Sequence, residues 1–157
     1  MNLTSPAFQN NKPIPSQFAG KGVRGGANLS PPLHWSDPPP QTKSFILSMT
    51  DLHPMAQSWI HWLVIDIPRQ ITSLPRGASP SGIPAGAAEL FNSFGDKGYG
   101  GPRPPRGSGI HRYMITLHAL DVGGLALSSF TSSTTLDRIL KEHLISSSSL
   151  TGIFEQS

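Results

Sequence analysis

With 157 residues, the chain has the length of one domain, and its 36% hydrophobic residues are enough to build a core. The 16 glycines and 16 prolines exclude a helical bundle, and no apolar run is long enough for a transmembrane helix. The sequence has no cysteine, which excludes disulfides and thiolate catalysis, and its net charge of +3 is too small to indicate a nucleic-acid surface. The N-terminal sequence lacks a signal peptide's basic and apolar regions, so we expect a cytoplasmic protein without an integral membrane segment.

Two longer strands are predicted in the first half of the chain. The proline-rich N-terminal quarter predicts only short edge strands and turns. Residues 44–49 alternate in polarity and predict a strand with Phe45, Leu47 and Met49 on one face. Residues 59–67 form an apolar, β-branched and aromatic run that predicts a central strand covered on both faces.

The segment at 68–110 is rich in turn-forming residues and holds at most one helical turn, at 85–91. A segment this long without regular structure is unusual in a compact domain unless it builds a site. Residues 111–120 predict a further strand, on which His111 and Tyr113 share one face.

One helix is predicted near the C-terminus, with Thr134 as its N-cap and Asp137 at the third helical position. Its apolar positions, at helical spacing, are Leu136, Ile139, Leu140 and Leu144. The serines at 146–149 are predicted to end this helix, and residues 150–154 to form a final strand. The pattern as a whole indicates a mainly β domain with up to two small helices.

His61 is the unusual residue of the apolar run, because a buried imidazole needs partners for its ring nitrogens. Asp51 lies ten residues earlier, and a hairpin would bring the two together. We therefore expect Asp51 to accept a hydrogen bond from His61 and fix its tautomer. The alternative is a core histidine with a purely structural role.

The loop at 101–110 consists largely of glycine, proline and serine, so its backbone amides can approach a ligand closely. His111 and Tyr113 follow it and add side-chain donors. Together with His61 they predict a pocket for phosphate or carboxylate oxygens. A basic cluster surrounds this loop, and it either steers a ligand or is a solvated surface: Lys97, Arg103, Arg106 and Arg112.

Three segments, in order, carry a resemblance to a known family. They are residues 28–35 (NLSPPLHW), Asp51 with residues 59–62 (WIHW), and residues 92–105 together with 107–113 (GSGIHRY). The chain resembles the phosphatidylethanolamine-binding protein family, in its bacterial and archaeal branch of Raf kinase inhibitor-like proteins. The resemblance extends from Leu3 to Phe154.

The resemblance implies a single domain over residues 1–157, in which a large antiparallel sheet packs on a smaller one beside a short C-terminal helix. It also implies an anion pocket at the surface, with no cofactor, no metal and no catalytic residue. The implied pocket residues are Asp51, His61, His111 and Tyr113, with Trp59 near the mouth and Gly101 and Pro102 in the lining. Arg112, on the opposite strand face, is expected to be structural.

The chain departs from the family pattern at three places. His53 stands at the second acidic position, so His53 and Pro54 are candidates for the pocket rim, and the proline after Asp51 is missing. Arg103 stands where many bacterial relatives have cysteine and adds a cation near the mouth. Gly25 and Ala27 replace acidic residues that often flank the first segment.

The preferred function is binding of a small anion: a phosphate monoester, a phospholipid headgroup or a phosphorylated side chain. In relatives such a pocket is associated with regulating kinases or proteases, so a partner of that kind is expected. One alternative is an enzyme, metal-dependent or not, that uses Asp51, His61 and His111. Another is a protein-interaction module that docks through the proline-rich loop at 102–106. The sequence leaves a monomer and a homodimer equally open.

Overall fold

Two β-sheets and one α-helix make up the fold, which the computed structural model describes for residues 1–127 and 132–157. The strands are β1 (Asn2–Thr4), β2 (Lys12–Pro13), β3 (Leu33–Ser36), β4 (Ser44–Asp51), β5 (Ile60–Pro68), β6 (Ser73–Leu74), β7 (Ala88–Glu89), β8 (His111–Leu120) and β9 (Leu144–Phe154). Helix α1 spans Ser133–His143, and single 3-10 turns lie at Ser16–Phe18 and Pro54–Ala56.

The large sheet has the strand order β2-β9-β8-β4-β5-β7, and the small sheet has the order β1-β3-β6. All neighbouring strands are antiparallel except β2 and β9, which are parallel. The predicted mainly β fold, with a large sheet, a smaller sheet and a C-terminal helix, is therefore confirmed.

The main core lies between the two sheets. Trp35 of the small sheet meets Phe45 of the large sheet edge to face, with ring centroids 5.8 Å apart, and its indole N–H donates to the Ile71 carbonyl. A second apolar cluster lies on the opposite face, where Leu136 and Ile139 of α1 contribute to its packing. The central strands are thus covered on both faces, which explains the continuous apolar run of β5.

The strand pairing brings the predicted site residues to one end of the large sheet. β4 ends at Asp51, which lies opposite Tyr113 of β8. β5 begins one residue before His61, and β8 begins at His111. Four polar side chains from three adjacent strands therefore share one sheet end.

Helix α1 begins and ends differently from the sequence prediction. Ser132, and not Thr134, is the N-cap, because its backbone is extended and its Oγ accepts a hydrogen bond from the Thr135 amide at 3.2 Å. The helix ends at His143, and Leu144 already belongs to β9.

The serines at 146–149 lie inside strand β9, so the prediction that they end the helix is wrong. β9 pairs with β8 along most of its length and with β2 on its other edge. Serine is a weak strand former, but backbone pairing with β8 holds these serines in the strand. Two of these serines also use their hydroxyls: Ser148 accepts from the Leu3 amide, and Ser149 lies 2.9 Å from the Thr116 hydroxyl.

Residues 85–91 contain the short edge strand β7 and no helical turn. Within the described part of the chain, no helix is long and apolar enough to cross a membrane.

Candidate functional site

A cavity of about 220 Å³ lies at the sheet end where β4, β5 and β8 meet, and we call it the strand-end pocket. Its lining consists of Asp51, Met55, Ala56, Trp59, His61, Phe94, Arg103, Pro104, Pro105, His111 and Tyr113. The structure therefore brings together five of the residues predicted as ligand-binding, which are Asp51, Trp59, His61, His111 and Tyr113, and the predicted rim residue Arg103.

Asp51 orients His111, and the predicted hydrogen bond between Asp51 and His61 is not formed. The Asp51 carboxylate is buried, and its Oδ2 lies 2.7 Å from His111 Nδ1. Its Oδ1 accepts from the His53 amide at 2.9 Å, so both oxygens have partners. His111 Nε2 lies 2.9 Å from the Ser108 hydroxyl, which donates to the Pro105 carbonyl. Both ring nitrogens of His111 are thus engaged within the protein.

His61 is held by the loop after β7 instead. Its Nδ1 donates to the Gly100 carbonyl at 2.7 Å, which leaves Nε2 without a hydrogen-bond partner among residues 1–127 and 132–157. Burial lowers the pKa of His61 below its ordinary value of 6.5, although the Gly100 carbonyl and the Asp51 charge act in the opposite direction. Near neutral pH, Nε2 is therefore an acceptor with a free lone pair.

The Tyr113 hydroxyl is the second unpaired group of the pocket. Tyr113 is 1% exposed, and its Oη has no hydrogen-bond partner in the described residues. Burial raises the pKa of Tyr113 well above its ordinary value, and the nearby Asp51 carboxylate raises it further, through its charge and through its attraction for the phenol proton at longer than ordinary hydrogen-bond distance. The phenol therefore keeps its proton and can donate it. A buried polar group without a partner costs about 1–3 kcal/mol, so its presence is typical of a binding site.

Aromatic side chains fix the orientation of these two groups. The His61 ring meets Tyr113 edge to face at 5.0 Å and Phe94 at 5.3 Å. Phe94 also contacts Trp59 at 5.4 Å, and Trp59 is 39% exposed at the mouth. The Arg103 guanidinium also packs on Phe94, and it lies over the ring at 5.3 Å from the centroid.

Gly101 and Pro102 do not line the strand-end pocket, contrary to the prediction. The Gly101 amide donates to the Asn28 side chain at 2.7 Å, and the Pro102 carbonyl accepts from the Gly20 amide. The Gly100 amide donates to the His61 carbonyl, so these loop amides bind the protein itself. The loop serves to position His61, and the prediction that its amides surround the anion is wrong for these residues.

The predicted rim residues differ in their placement. The His53 ring stacks on His111 with centroids 4.0 Å apart and an interplanar angle of 12°, and it does not itself line the pocket. Pro54 begins the 3-10 turn that carries Met55 and Ala56 but does not itself line the pocket.

Of the basic cluster, only Arg103 reaches this pocket. Arg106 donates to the Ser157 backbone carbonyl at 2.6 Å, and Arg112 is exposed on the other face of β8. Lys97 is exposed and lines a different depression beside Glu89.

Two contributors to the site were missed in the sequence. The buried Asn92 accepts hydrogen bonds from the Phe94 and Asp96 amides and donates to the Gly98 carbonyl, which shapes the loop that carries Phe94. This pattern is an Asx turn, and an asparagine within a glycine-rich segment is the sequence feature from which it could have been predicted. Gln156 donates to the Pro104 carbonyl at 2.8 Å and so ties the proline wall to the C-terminal residues.

A metal-ligand set is absent from the part of the chain that the structure describes. No group of three or more histidine, aspartate or glutamate side chains there is placed to hold an ion. The Asp51 and His111 side chains bind each other instead of converging on a common point.

The fold and the pocket define a mainly β protein with a small polar pocket at the end of its large sheet. The sequence matches the phosphatidylethanolamine-binding protein family over residues 4–155, so the chain belongs to that family.

Relatives and solved structures agree with this assignment. A UPF0098 protein of Aquifex aeolicus is 34% identical over 99% of this chain and 89% of its own length. The crystal structure of Escherichia coli YbcL, described as a new member of the mammalian PEBP family, is similar with a TM-score of 0.92 and 30% identity. That similarity covers 99% of this chain and 98% of YbcL. A Chlamydia trachomatis homologue of known structure has a TM-score of 0.83 and 32% identity, over 99% of this chain and 97% of that one.

The predicted cytoplasmic location stays a prediction. A relative from Mycobacterium tuberculosis, LppC, is named a lipoprotein and is 38% identical over 78% of this chain and 56% of its own length.

Proposed function

We propose that the protein binds a small phosphate-type anion in the strand-end pocket. The single observation that carries this proposal is the buried, unpaired Tyr113 hydroxyl, which lines the same pocket as the unpaired Nε2 of His61. Tyr113 donates to one phosphate oxygen. His61 Nε2 shares a proton with a second oxygen, and Arg103 at the wall attracts the charge.

The proton on His61 makes binding pH-dependent. Burial lowers the pKa of His61, and the second pKa of a phosphate monoester is about 6, so the dianion and neutral His61 lack this proton at pH 8. Complex formation then takes up one proton. The affinity for phosphate therefore rises as the pH falls from 8 towards 6, by at most about tenfold per pH unit.

The size and rim of the pocket favour a headgroup-sized ligand. A volume of about 220 Å³ is below the usual range for drug-sized ligands, so it has no room for acyl chains. Two exposed apolar side chains line the pocket, Met55 at 52% and Trp59 at 39% exposure. The ligand is therefore a free phosphate ester or the headgroup of a phospholipid such as phosphatidylethanolamine, for which the family is named. A regulated kinase or protease partner stays a prediction of the sequence resemblance.

The alternatives are less well supported. The Pro105 carbonyl, 2.6 Å from the Ser108 hydroxyl, competes for its single proton with His111 Nε2 at 2.9 Å, so the geometry does not favour nucleophilic catalysis. The proline-rich loop at 102–106 is partly buried, and its Pro104 carbonyl binds Gln156, which favours a wall over a docking surface.

Calorimetric titration with inorganic phosphate and O-phosphoethanolamine tests the proposal, with Tyr113→Phe and Tyr99→Phe as a matched pair. Tyr113→Phe removes an unpaired hydroxyl, so we expect about tenfold weaker binding and a free energy of unfolding within about 0.5 kcal/mol of the wild type. Tyr99→Phe removes a buried hydroxyl that donates to the Phe18 carbonyl at 2.7 Å. We expect this control to lose about 1 kcal/mol of stability and to keep its phosphate affinity.

Vesicles distinguish the two ligand sources. Binding to phosphatidylethanolamine vesicles that phosphoethanolamine abolishes would identify a lipid headgroup, and binding of the soluble esters alone would identify a free phosphate ester. Equal phosphate affinity in Tyr113→Phe and wild type would refute the proposal. So would the absence of phosphate binding up to about 10 mM, which corresponds to a binding free energy weaker than about 3 kcal/mol.

A further inference from the structure

A second cavity of about 280 Å³ adjoins the strand-end pocket, and we call it the side cavity. Its lining comprises Gly20, Lys21, Asn28, Phe94, Asp96, Tyr99, Gly100, Gly101 and Arg103. Phe94 and Arg103 line both cavities, so the two spaces share one wall. A group bound in the side cavity would therefore lie next to a group bound in the strand-end pocket.

Arg103 is fixed in this shared wall from two sides. Its guanidinium lies over the Phe94 ring at 5.3 Å and donates to the Lys21 carbonyl at 3.4 Å. A cation–π contact and one backbone acceptor restrain the planar group and leave most of its five N–H donors for a ligand. A cation held in this way loses less side-chain entropy when it binds an anion.

The side cavity carries two cations and one carboxylate. Lys21 is exposed, and its side chain forms no ion pair or hydrogen bond within residues 1–127 and 132–157. Asp96 is the opposing charge, so the lining has a net charge of +1 from Lys21, Arg103 and Asp96. The surrounding polar groups are already used: the Asn28 amide donates to the Tyr99 carbonyl and accepts from the Gly101 amide. The side-chain donors left for a ligand are the two cationic groups.

The floor of the side cavity requires glycine. A Cβ at Gly101 would collide with the Phe18 carbonyl, and a Cβ at Gly100 would lie 2.6 Å from the Phe94 ring. Bare backbone here keeps Phe94 in the shared wall and the space beside it open.

We propose that the side cavity is a second anion subsite, so that the preferred ligand carries two anionic groups, such as a bisphosphate ester. This inference rests on the proposed function, because the first phosphate occupies the strand-end pocket. The second phosphate binds Lys21 and Arg103, and Arg103 contacts both groups across the shared wall. Asp96 weakens binding of the second group by like-charge repulsion.

The test compares inorganic phosphate with pyrophosphate and propane-1,3-diyl bisphosphate, by calorimetry at one pH and ionic strength. We expect at least one bisphosphate to bind about tenfold more tightly than phosphate, as one added charge-assisted contact predicts. Lys21→Ala should remove about five- to tenfold of the bisphosphate affinity and leave phosphate binding unchanged, because Lys21 lines only the side cavity. Asp96→Asn should strengthen bisphosphate binding about threefold.

Lys97→Ala is the matched control, since it removes the same charge from another exposed loop lysine, which lines neither of these two cavities. Lys21 and Lys97 are both exposed, so both variants should fold, and circular dichroism checks this. Equal losses in Lys21→Ala and Lys97→Ala would mean a general effect of net charge and would overturn the second subsite. Phosphate binding with no gain for either bisphosphate would also overturn it and would leave the proposed function intact. Failure of phosphate itself to bind would refute both.

Discussion

Both carboxylate oxygens of Asp51 accept hydrogen bonds inside the protein. Removing this side chain should therefore lower the free energy of unfolding by more than the loss of a surface ion pair does. Asp51→Ala leaves the His53 amide and His111 Nδ1 without acceptors in a buried place. We expect a loss of about 3 kcal/mol in the free energy of unfolding, measured with urea. Asp121→Ala is the control, because Asp121 also binds a histidine, His143, at 2.9 Å but at the surface. That variant should lose less than about 1 kcal/mol, and equal losses would contradict the prediction.

His118 gives the protein a pH-dependent stability that is unrelated to the pocket. Burial lowers its pKa from 6.5 to about 4, and its Nδ1 is buried without a partner among the described residues. Between these two pH values the unfolded chain binds a proton that the folded chain does not. His118 therefore has no effect on the free energy of unfolding above pH 6.5. As the pH decreases from 6.5 to 4, the free energy of unfolding falls, and at pH 4 it is up to about 3 kcal/mol lower than at neutral pH.

His118→Gln tests this effect, because glutamine retains a hydrogen-bonding group towards Ser48 and does not titrate. Urea unfolding at pH 7 and pH 5 should show a smaller decrease for the variant than for the wild type. Part of the decrease will remain, because burial also lowers the pKa of His61. Identical decreases in both proteins would show that His118 does not titrate in this range.

The identity of the pocket residues could be predicted from the sequence, but their pairing could not. His61 stands out because it interrupts an apolar run, and His111 and Tyr113 because they follow a glycine-rich loop. The partner of Asp51 depends on strand order: β8 lies beside β4, opposite β5, so Asp51 has a neighbour on each side. No local pattern reveals which neighbour takes the hydrogen bond.

At the scale of elements, the cap of α1 shows what short-range patterns can decide. The run at 132–135 is Ser-Ser-Thr-Thr, and every one of these residues is a good N-cap. The sequence alone therefore predicted the helix correctly but placed its start two residues too late.

Ser132→Ala and Thr134→Ala distinguish the two cap assignments. Ser132→Ala removes the acceptor of the Thr135 amide and should lower the free energy of unfolding by about 1 kcal/mol. Thr134 lies within the helix and is exposed, so Thr134→Ala should change it by less than about 0.5 kcal/mol. Thermal unfolding measures both, and a larger loss in Thr134→Ala would show that the cap has been assigned wrongly.

The extent of β9 was beyond prediction for a different reason. Its serines have no apolar periodicity, and the strand exists because β2 and β8 supply hydrogen-bond partners far away in the sequence. Where the strand propensity of a segment is weak, tertiary pairing determines whether it forms a strand. The residues of β8 alternate strongly, and this strand was predicted with its observed bounds.

At the scale of the whole molecule, the N-terminal segment closes the core over β9. A Cβ at Gly152 would collide with Ile14 and lie 2.8 Å from the Phe8 ring. Gly152→Ala should therefore lower the free energy of unfolding by about 1–3 kcal/mol, as overpacking does in other cores. Gly123→Ala is the control, because no atom lies within 4 Å of the added Cβ, and its change should stay within about 0.5 kcal/mol. Urea unfolding of the two variants measures the difference, and equal stabilities would contradict the prediction.

The position of β9 has a consequence for the order in which the protein forms on a ribosome. β9 follows the other described strands in chain order, yet it lies between β2, one of the first, and β8. Until β9 has been synthesised, β2 has no strand to pair with, and one edge of β8 is exposed to other nascent chains. We therefore expect the N-terminal segment to dock only after β9 has left the exit tunnel, so that the pairing of β9 with both neighbours completes the sheet.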